Sequence, residues 1–426
     1  MVRCGGDEAL ATRAFDAGGE PTDSGAGADS DGGVRRSCTT IPGIRDSSVP
    51  PNTNPRFRKL VLTSEHYAES AAFGDFDCDG TGDVVAGPLW YRGPDFTAAY
   101  PIYDKVAFDP HTWSDNFVAF VRDFSGDGRD DVLVTHGAGR AASWYENPGS
   151  YDGRWTRHVV VDVVDNESPA FTDLTGDGLP ELVYHVGGRL GWGAPDWLHA
   201  AAPWVFHALS PALGLPSATH GLGVGDVDGD GRRDVVLATG YWRQPASLAS
   251  DPVWEHGAQA FGQGGAQIYV YDVDGNGASD VITSLAAHGW GLSWFEQVVA
   301  TGAPAFVEHS IVAPVPTDAG VVLYQPHALA LHDIDGDGLE DIVTGERFWG
   351  HVPEGDADFS EPARLYWFKL RRDAAGARYE ARLIDDASGV GTQIAVGDVT
   401  GDGSVDIAVS TKKGAFLFVG ETGVAD

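Results

Sequence analysis

Asp226-Val227-Asp228-Gly229-Asp230-Gly231-Arg232-Arg233-Asp234 sets carboxylates at positions 1, 3, 5 and 9 of a loop whose glycines permit a tight turn. The same pattern recurs as Asp75/Asp77/Asp79/Asp83, Asp123/Ser125/Asp127/Asp131 and Asp173/Thr175/Asp177/Glu181, then as Asp272/Asp274/Asn276/Asp280, Asp333/Asp335/Asp337/Asp341 and Asp398/Thr400/Asp402/Asp406. Counting the first, Asp226/Asp228/Asp230/Asp234, there are seven copies, 46 to 65 residues apart. That period suits one four-stranded blade per copy.

Short apolar runs flank each loop, such as Leu222-Gly223-Val224-Gly225 before it and Val235-Val236-Leu237-Ala238 after it. They read as two strands of a hairpin joined by the acidic turn. A third run carries aromatics, as in Ser143-Trp144-Tyr145-Glu146 and Ser293-Trp294-Phe295-Glu296, and a fourth reads aromatic-x-x-basic, from Trp155 to His158 or Phe306 to His309. The expected fold is therefore all-β, a seven-bladed propeller over residues 53–426. The last repeat runs out after its third strand, Ala415 to Val419, and Phe57 to Leu62 is predicted to supply the missing strand and close the ring.

Hard oxygen ligands at this spacing point to calcium, which accepts six to eight of them, so up to seven structural calcium ions are expected. An EF-hand is excluded, because position 12 falls inside a strand-like run at Leu237, Ala86 or Thr344. Loops with Ser or Thr at position 3 should bind more weakly. Of the 62 acidic residues 24 lie at these positions, so much of the formal charge of -34 is read as coordination chemistry. What remains still excludes a nucleic-acid partner, whose backbone needs a cationic face.

Residues 1–52, poor in large apolar side chains, read as an acidic Gly/Ser-rich tether that stays disordered. No apolar run reaches membrane-spanning length. Met1-Val2-Arg3-Cys4-Gly5-Gly6 resembles the start of a mature bacterial lipoprotein, which gives the expectation of a lipid anchor at Cys4 and an extracytoplasmic, secreted or envelope-bound protein. Three cysteines, Cys4, Cys38 and Cys78, are too few for a disulfide scaffold, though a single Cys38–Cys78 bridge is open.

Function is sought at the rim opposite the acidic loops. Glu69, Phe117, Glu167, His220, Ala266, His327 and Thr392 stand six residues before the loops' first Asp, so they occupy equivalent places around a ring. His220, His288 and His327 are candidates for a three-imidazole zinc site or for acid–base work. Glu69 and Glu167 are candidate bases, and Arg347 and Lys412 candidate anion stabilisers. Trp90, Tyr241, Trp242, Trp290 and Trp349 offer flat faces that stack on sugar rings, though aromatics also fill the space between blades.

The loops resemble the FG-GAP or VCBS repeat family of calcium-binding propellers. Thr219-His220-Gly221-Leu222-Gly223-Val224-Gly225, Ala287-His288-Gly289-Trp290-Gly291-Leu292, Gln325-Pro326-His327-Ala328-Leu329-Ala330, Arg347-Phe348-Trp349 and Ser388-Gly389-Val390-Gly391-Thr392-Gln393 further resemble the propeller of aldos-2-ulose dehydratase-like proteins. That resemblance implies a carbon-oxygen lyase that dehydrates 2-keto sugars and uses zinc together with magnesium or calcium. The cupin modules of the fungal type are missing from this chain, which leaves a second isomerisation step without a carrier. The competing expectation is a non-catalytic propeller that binds glycans or protein.

Overall fold

A computed structural model describes residues 55–151, 153–298, 304–315, 320–350 and 362–421. The chain divides into Met1–Arg36 and Ser37–Asp426. Everything described belongs to the second unit, so Cys4, Cys38 and the expected boundary at residue 52 lie outside the described residues. Cys78 is disulfide-bonded. Among the described residues there are strands and no helix, hence none long and apolar enough to cross a membrane.

Each repeat builds one antiparallel four-stranded unit. In the fourth, Leu222–Gly225 runs to the loop, Asp234–Leu237 returns, and Gly240–Arg243 and Glu255–Ala258 follow outward. The shortness of the first strand and the aromatic weight of the third match their places, the third strand packing on both faces against neighbouring units. The last unit takes its outer strand from the other end of the chain, Arg56–Thr63 pairing antiparallel with Gly414–Glu421.

Seven separate sheets were expected, and the structure departs from that. Five four-stranded sheets stand alone, whereas the fourth and fifth units merge into one eight-stranded sheet through parallel pairing of Leu222–Gly225 with Gln267–Tyr271. Glycine is the physical reason. A Cβ on Gly223 would lie 2.2 Å from the Ile268 carbonyl oxygen, and one on Gly225 would lie 2.4 Å from Val270 Cβ. Without side chains there, the two backbones approach to pairing distance.

Apolar clusters lie between consecutive units: Phe76, Trp90, Val132 and Tyr145 join the first to the second, and Leu174, Trp192, Val235 and Trp242 the third to the fourth. Val84, Tyr91, Leu417 and Val419 join the last to the first. Side-chain amides at the end of the third strand tie neighbours together as well. Asn147 donates to the Phe76 carbonyl, Gln244 to Leu174 and Gln297 to Val227, at 2.7 to 2.8 Å, each reaching back to the preceding unit's acidic loop. On the outer strands His158, His256 and His309 stack at 4.3 Å on Trp144, Trp242 and Trp294 of the third strands, a repeated structural pair.

Candidate functional site

The acidic loops form clusters in which the ligand atoms lie within 4.8 Å of one another, among them Asp75/Asp77/Asp83, Asp173/Asp177/Glu181, Asp226/Asp228/Asp230 and Asp272/Asp274/Asp280. Position 1 holds the turn together. Asp226 accepts the amides of Gly229, Asp230 and Gly231, and Asp123 and Asp333 do the same in their loops.

At six of the expected ligand positions the polar atoms are also engaged in the loop's own hydrogen bonds. The hydroxyls at position 3 act as donors across the turn: Ser125 to Asp123 at 3.3 Å, Thr175 to Glu181 at 3.1 Å and Thr400 to Asp406 at 3.1 Å. At position 5, Asn276 donates its amide to Asp274 at 3.1 Å and accepts the Ala278 N–H at 2.7 Å. Asp127 is ion-paired with Arg129 and accepts its amide at 3.0 Å, and the exposed Asp402 accepts the Ser404 amide at 2.8 Å. The cause is local: a short polar side chain lies within reach of a nearby backbone N–H or carboxylate. These contacts brace the turn.

Position 9 has a second duty that the sequence did not reveal. Asp83 accepts the Phe76 and Gly93 amides, Asp234 those of Val227 and Gln244, and Asp280 those of Val273 and Gln297, so this carboxylate ties loop to third strand. Burial pushes Asp83 up to about 8 and Asp131 and Asp341 up to about 7, so ionising them is costly unless positive charge lies close.

Basic side chains reach some of these loops. The residue just before the third-strand amide that meets position 9 is Arg92, Arg243 and Lys369 in the first, fourth and sixth units. Arg92 pairs with Asp77 and Asp79, Arg243 lies 3.7 Å from Asp228, and the fully buried Lys369 ammonium pairs with Asp335 and, at 2.7 Å, with Asp337.

At the other rim the structure brings His220, His288, His327, Glu69, Glu167 and Arg347 into one network. The three imidazole centroids are 4.8 to 5.0 Å apart. Nε2 of His220 is 3.1 Å from Nε2 of His327, and Glu167 Oε2 lies 3.1 and 3.5 Å from these two nitrogens. That oxygen is buried and receives no hydrogen bond, and the buried Nδ1 of His327 likewise has no partner. Ligands about 2.0–2.1 Å from a tetrahedral ion stand roughly 3.3 Å from one another. The three atoms therefore sit at the mutual spacing of neighbours around one small divalent ion, and the residues present fit such a group.

His327 is held well below its ordinary pKa by burial and by the Arg347, His220 and His288 charges, so it is a neutral imidazole. Arg347 donates to His327 Nε2 at 2.7 Å and pairs with Glu69 through its other terminal nitrogen. Ligation at that Nε2 requires the first of these contacts to open, while Glu69 keeps the guanidinium in place. Glu69 is fully buried; burial would raise it, but Arg347, His66 and Lys412 outweigh this and hold it at about 2. It is a permanent anion that positions Arg347. Lys412 donates to the Trp349 carbonyl at 2.6 Å.

Non-glycine residues with left-handed backbone flank this network: Ala218 (φ 64°), Gln325 (φ 44°) and Trp349 (φ 54°) each stand two residues from His220, His327 and Arg347. Such conformations cost free energy and collect where the fold is committed to one side-chain arrangement.

Of the five candidate stacking aromatics, three are elsewhere. Trp90 is buried between units at the acidic-loop rim, against Phe76 and Tyr100, and Tyr241 and Trp242 are buried in inter-unit cores. Alternation in their strands points them at neighbouring sheets. Trp290 and Trp349 remain half-buried near the histidines, beside Tyr324 and His111.

A cleft of 510 Å³ opens beside the histidine network, lined by Glu167, His220 and His288 together with Trp113, Phe108, Phe117, His136 and Arg140. Trp113, 53% exposed, comes from the connection between the first two units, which carries no repeat signal. His136 directly follows the second strand Asp131–Thr135; its Nδ1–H donates to the Asp115 carbonyl at 2.8 Å, which leaves a buried, partnerless Nε2 lone pair.

Residues 123–184 match the model of the FG-GAP-like repeat. That segment runs from one acidic loop into the hairpin of the next, so the chain is similar to the FG-GAP-like repeat there, within an all-β, propeller-like arrangement. No curated protein matches the chain in sequence. Among solved structures, an Agrocybe aegerita lectin described as recognising non-reducing terminal N-acetylglucosamine is 15% identical, covers 78% of this chain and 81% of its own, and has a TM-score of 0.44. A Lactobacillus plantarum protein is 12% identical, with 78% and 89% covered and a TM-score of 0.45. BBS1N in complex with ARL6DN is 11% identical, with 90% and 99% covered and a TM-score of 0.46.

Proposed function

We propose that this protein is a calcium-stabilised, extracytoplasmic β-propeller that acts as a metal-dependent carbohydrate lyase, a dehydratase of keto sugars, at the rim opposite its acidic loops. The merged sheet counts as two blades in this reading, giving a ring of seven closed by the Arg56–Thr63 strand, and calcium occupies acidic loops as a structural ion. The observation that carries the catalytic reading is the convergence of Glu167 Oε2 with the His220 and His327 Nε2 atoms at ligand spacing, with His288 beside them, at the wall of a cleft large enough for a sugar.

A divalent ion held by His220, His327 and Glu167, with His288 beside it, would polarise a sugar carbonyl and acidify the neighbouring C–H. The chain's own residues do the rest. His136, kept neutral chiefly by burial, lines the cleft with an unpartnered Nε2 that would accept the C–H proton and return it to the departing hydroxyl, which leaves as water. Glu69 holds Arg347 behind the histidines. Trp113 and Trp349 give the sugar ring flat apolar surface.

Zinc analysis of the purified protein and assay of 2-keto sugars for a conjugated enone test this. One equivalent of zinc lost in His327→Ala, with turnover lost alongside it, is expected. A calcium-replete protein with neither zinc nor turnover overturns it. The exposed Trp113 favours one second reading, a glycan-binding propeller that consumes nothing; saturable glycan binding without product would establish it.

A further inference from the structure

We propose that the rim cleft continues into an anion-binding groove, so that the saccharide taken there carries carboxylate groups, held by Arg140 and Arg157. This rests on the reading of the cleft as a sugar site and names the class of sugar.

Next to the cleft is a second depression of 550 Å³, lined by Tyr103, Asp104, Arg140, Tyr145, Arg154 and Arg157, and the two share Asp115, His136 and Arg140 along their walls. In a chain with 28 basic against 62 acidic residues, three arginines on one wall are a departure that needs a cause. Arg154 is answered by Asp104. Arg157 donates through Nε to Ser143 Oγ at 3.0 Å, which fixes the side chain without neutralising it, and Arg140 sits in the Gly137–Arg140 turn. Among the described residues, no carboxylate pairs with either guanidinium. Among the described residues most other arginines, by contrast, are paired with acids, Arg92, Arg129, Arg232, Arg243, Arg364 and Arg378 among them.

His136 stands where the two depressions meet, more than nine-tenths buried, with Nε2 lacking a partner. Burial first, then the Arg157 and Arg140 charges, keep it neutral. The tyrosines are a further feature of the groove: Tyr103 and Tyr145 stack at 4.7 Å and form an apolar floor against which a ring can lie. A planar guanidinium matches a carboxylate in geometry and charge, and two of them along a groove with an aromatic floor suit a uronate chain better than a neutral one.

The test is titration calorimetry of the metal-replete protein with gluco-, galacto- and mannuronate trisaccharides, each beside its methyl ester and a sulfated neutral trisaccharide. At least one uronate is expected to bind about tenfold or more tightly than its ester, with the difference shrinking as salt rises. The Arg140→Gln/Arg157→Gln double variant is expected to abolish that preference while keeping its zinc content and melting temperature. Equal binding of acid and ester, binding of none of them, preference for the sulfated sugar alone, or a preference that survives in the double variant would each overturn the proposal. Zinc content and enone formation are read separately, so the lyase can fail while the acid preference stands, and the reverse.

Discussion

Lys369 decides what the sixth acidic loop is. Its ammonium is buried between Asp335, itself fully buried, and Asp337, at the place where a bound ion would neutralise the same carboxylates. Burial brings its pKa down to about 8, so it carries its charge at neutral pH. The loop Asp333/Asp335/Asp337/Asp341 therefore holds an internal cation, and the wild-type protein should bind no calcium there. Lys369→Met keeps the length and apolar stem but removes the charge. Breaking a buried ion pair costs about 3–5 kcal/mol because the partner charge is left buried and unpaired.

In chelator the variant should therefore lose about that much stability. In calcium at about 100 times the dissociation constant, a newly available four-carboxylate site returns about 2.7 kcal/mol, leaving a deficit of about 0.3–2.3 kcal/mol. Thermal unfolding with and without chelator, together with calcium counting by equilibrium dialysis, reads both quantities. The variant should bind one ion more than wild type. A variant as stable as wild type in chelator, or one with an unchanged ion count, refutes the idea that Lys369 substitutes for a metal.

Other outcomes follow from single contacts. Glu167→Gln removes the charged ligand atom and should lower zinc affinity at least tenfold with the calcium-dependent melting unchanged, checked by metal-buffer titration. Gly223→Ala forces a methyl against the Ile268 carbonyl and should cost about 1–3 kcal/mol, measured by denaturant unfolding, with raised amide exchange along Gln267–Tyr271. Lys59 donates to Asp385 at 2.7 Å, joining the N-terminal strand to the sixth unit, and Lys59→Met should cost about 1 kcal/mol. Burial raises the Asp385 pKa, but its bonds from Lys59, Ser388 and Ala387 outweigh this and leave it depressed. The stabilisation is thus fully present above the ordinary Asp range and lost as pH falls through the lower folded value, so wild type and Lys59→Met should converge in stability in acid.

The repeat, its hairpins and the pairing of the two chain ends were legible because they rest on local chemistry: glycines at turn positions, apolar runs of strand length and a missing outer strand. Blade separation was not legible. Gly223 and Gly225 looked like ordinary small residues of an inner strand, and only the neighbouring backbone shows that their missing side chains let two sheets become one. Loop spacing marked Ser125, Thr175 and Thr400 as the weaker candidates at position 3, but not that each hydroxyl donates to a carboxylate of its own loop and so braces the turn. The histidine cluster was legible from equivalent places in the repeat, which is why His220, His327 and Glu167 meet. Three of the five aromatics were misplaced because a tryptophan on a third strand looks the same whether it faces a neighbour or solvent. Trp113 lies on a connection outside the repeat register, and Arg140 opens the third strand Arg140–Glu146 at its turn, where sequence alone offers no frame for the side chain's direction.

That division of signal has a structural cause. Residues in the repeat register are fixed by contacts every unit makes, so their places can be read from one unit and carried to the next. At the rim those contacts bind unit to unit: the Glu167 amide donates to the Thr219 carbonyl, and Thr392 donates to the carbonyl of Glu69. A shift of one blade would be felt by its neighbours' site residues. Position 9 of the acidic loop joins the loop to the third strand of its own unit, and the amides of Asn147, Gln244 and Gln297 join that strand to the loop before it. Stiffness at the acidic rim is thereby passed through whole sheets to the opposite one. Chelation should therefore loosen the histidine network even though no acidic loop touches it, and zinc affinity measured with and without calcium should fall together with blade stability. Zinc affinity indifferent to calcium would separate the two rims.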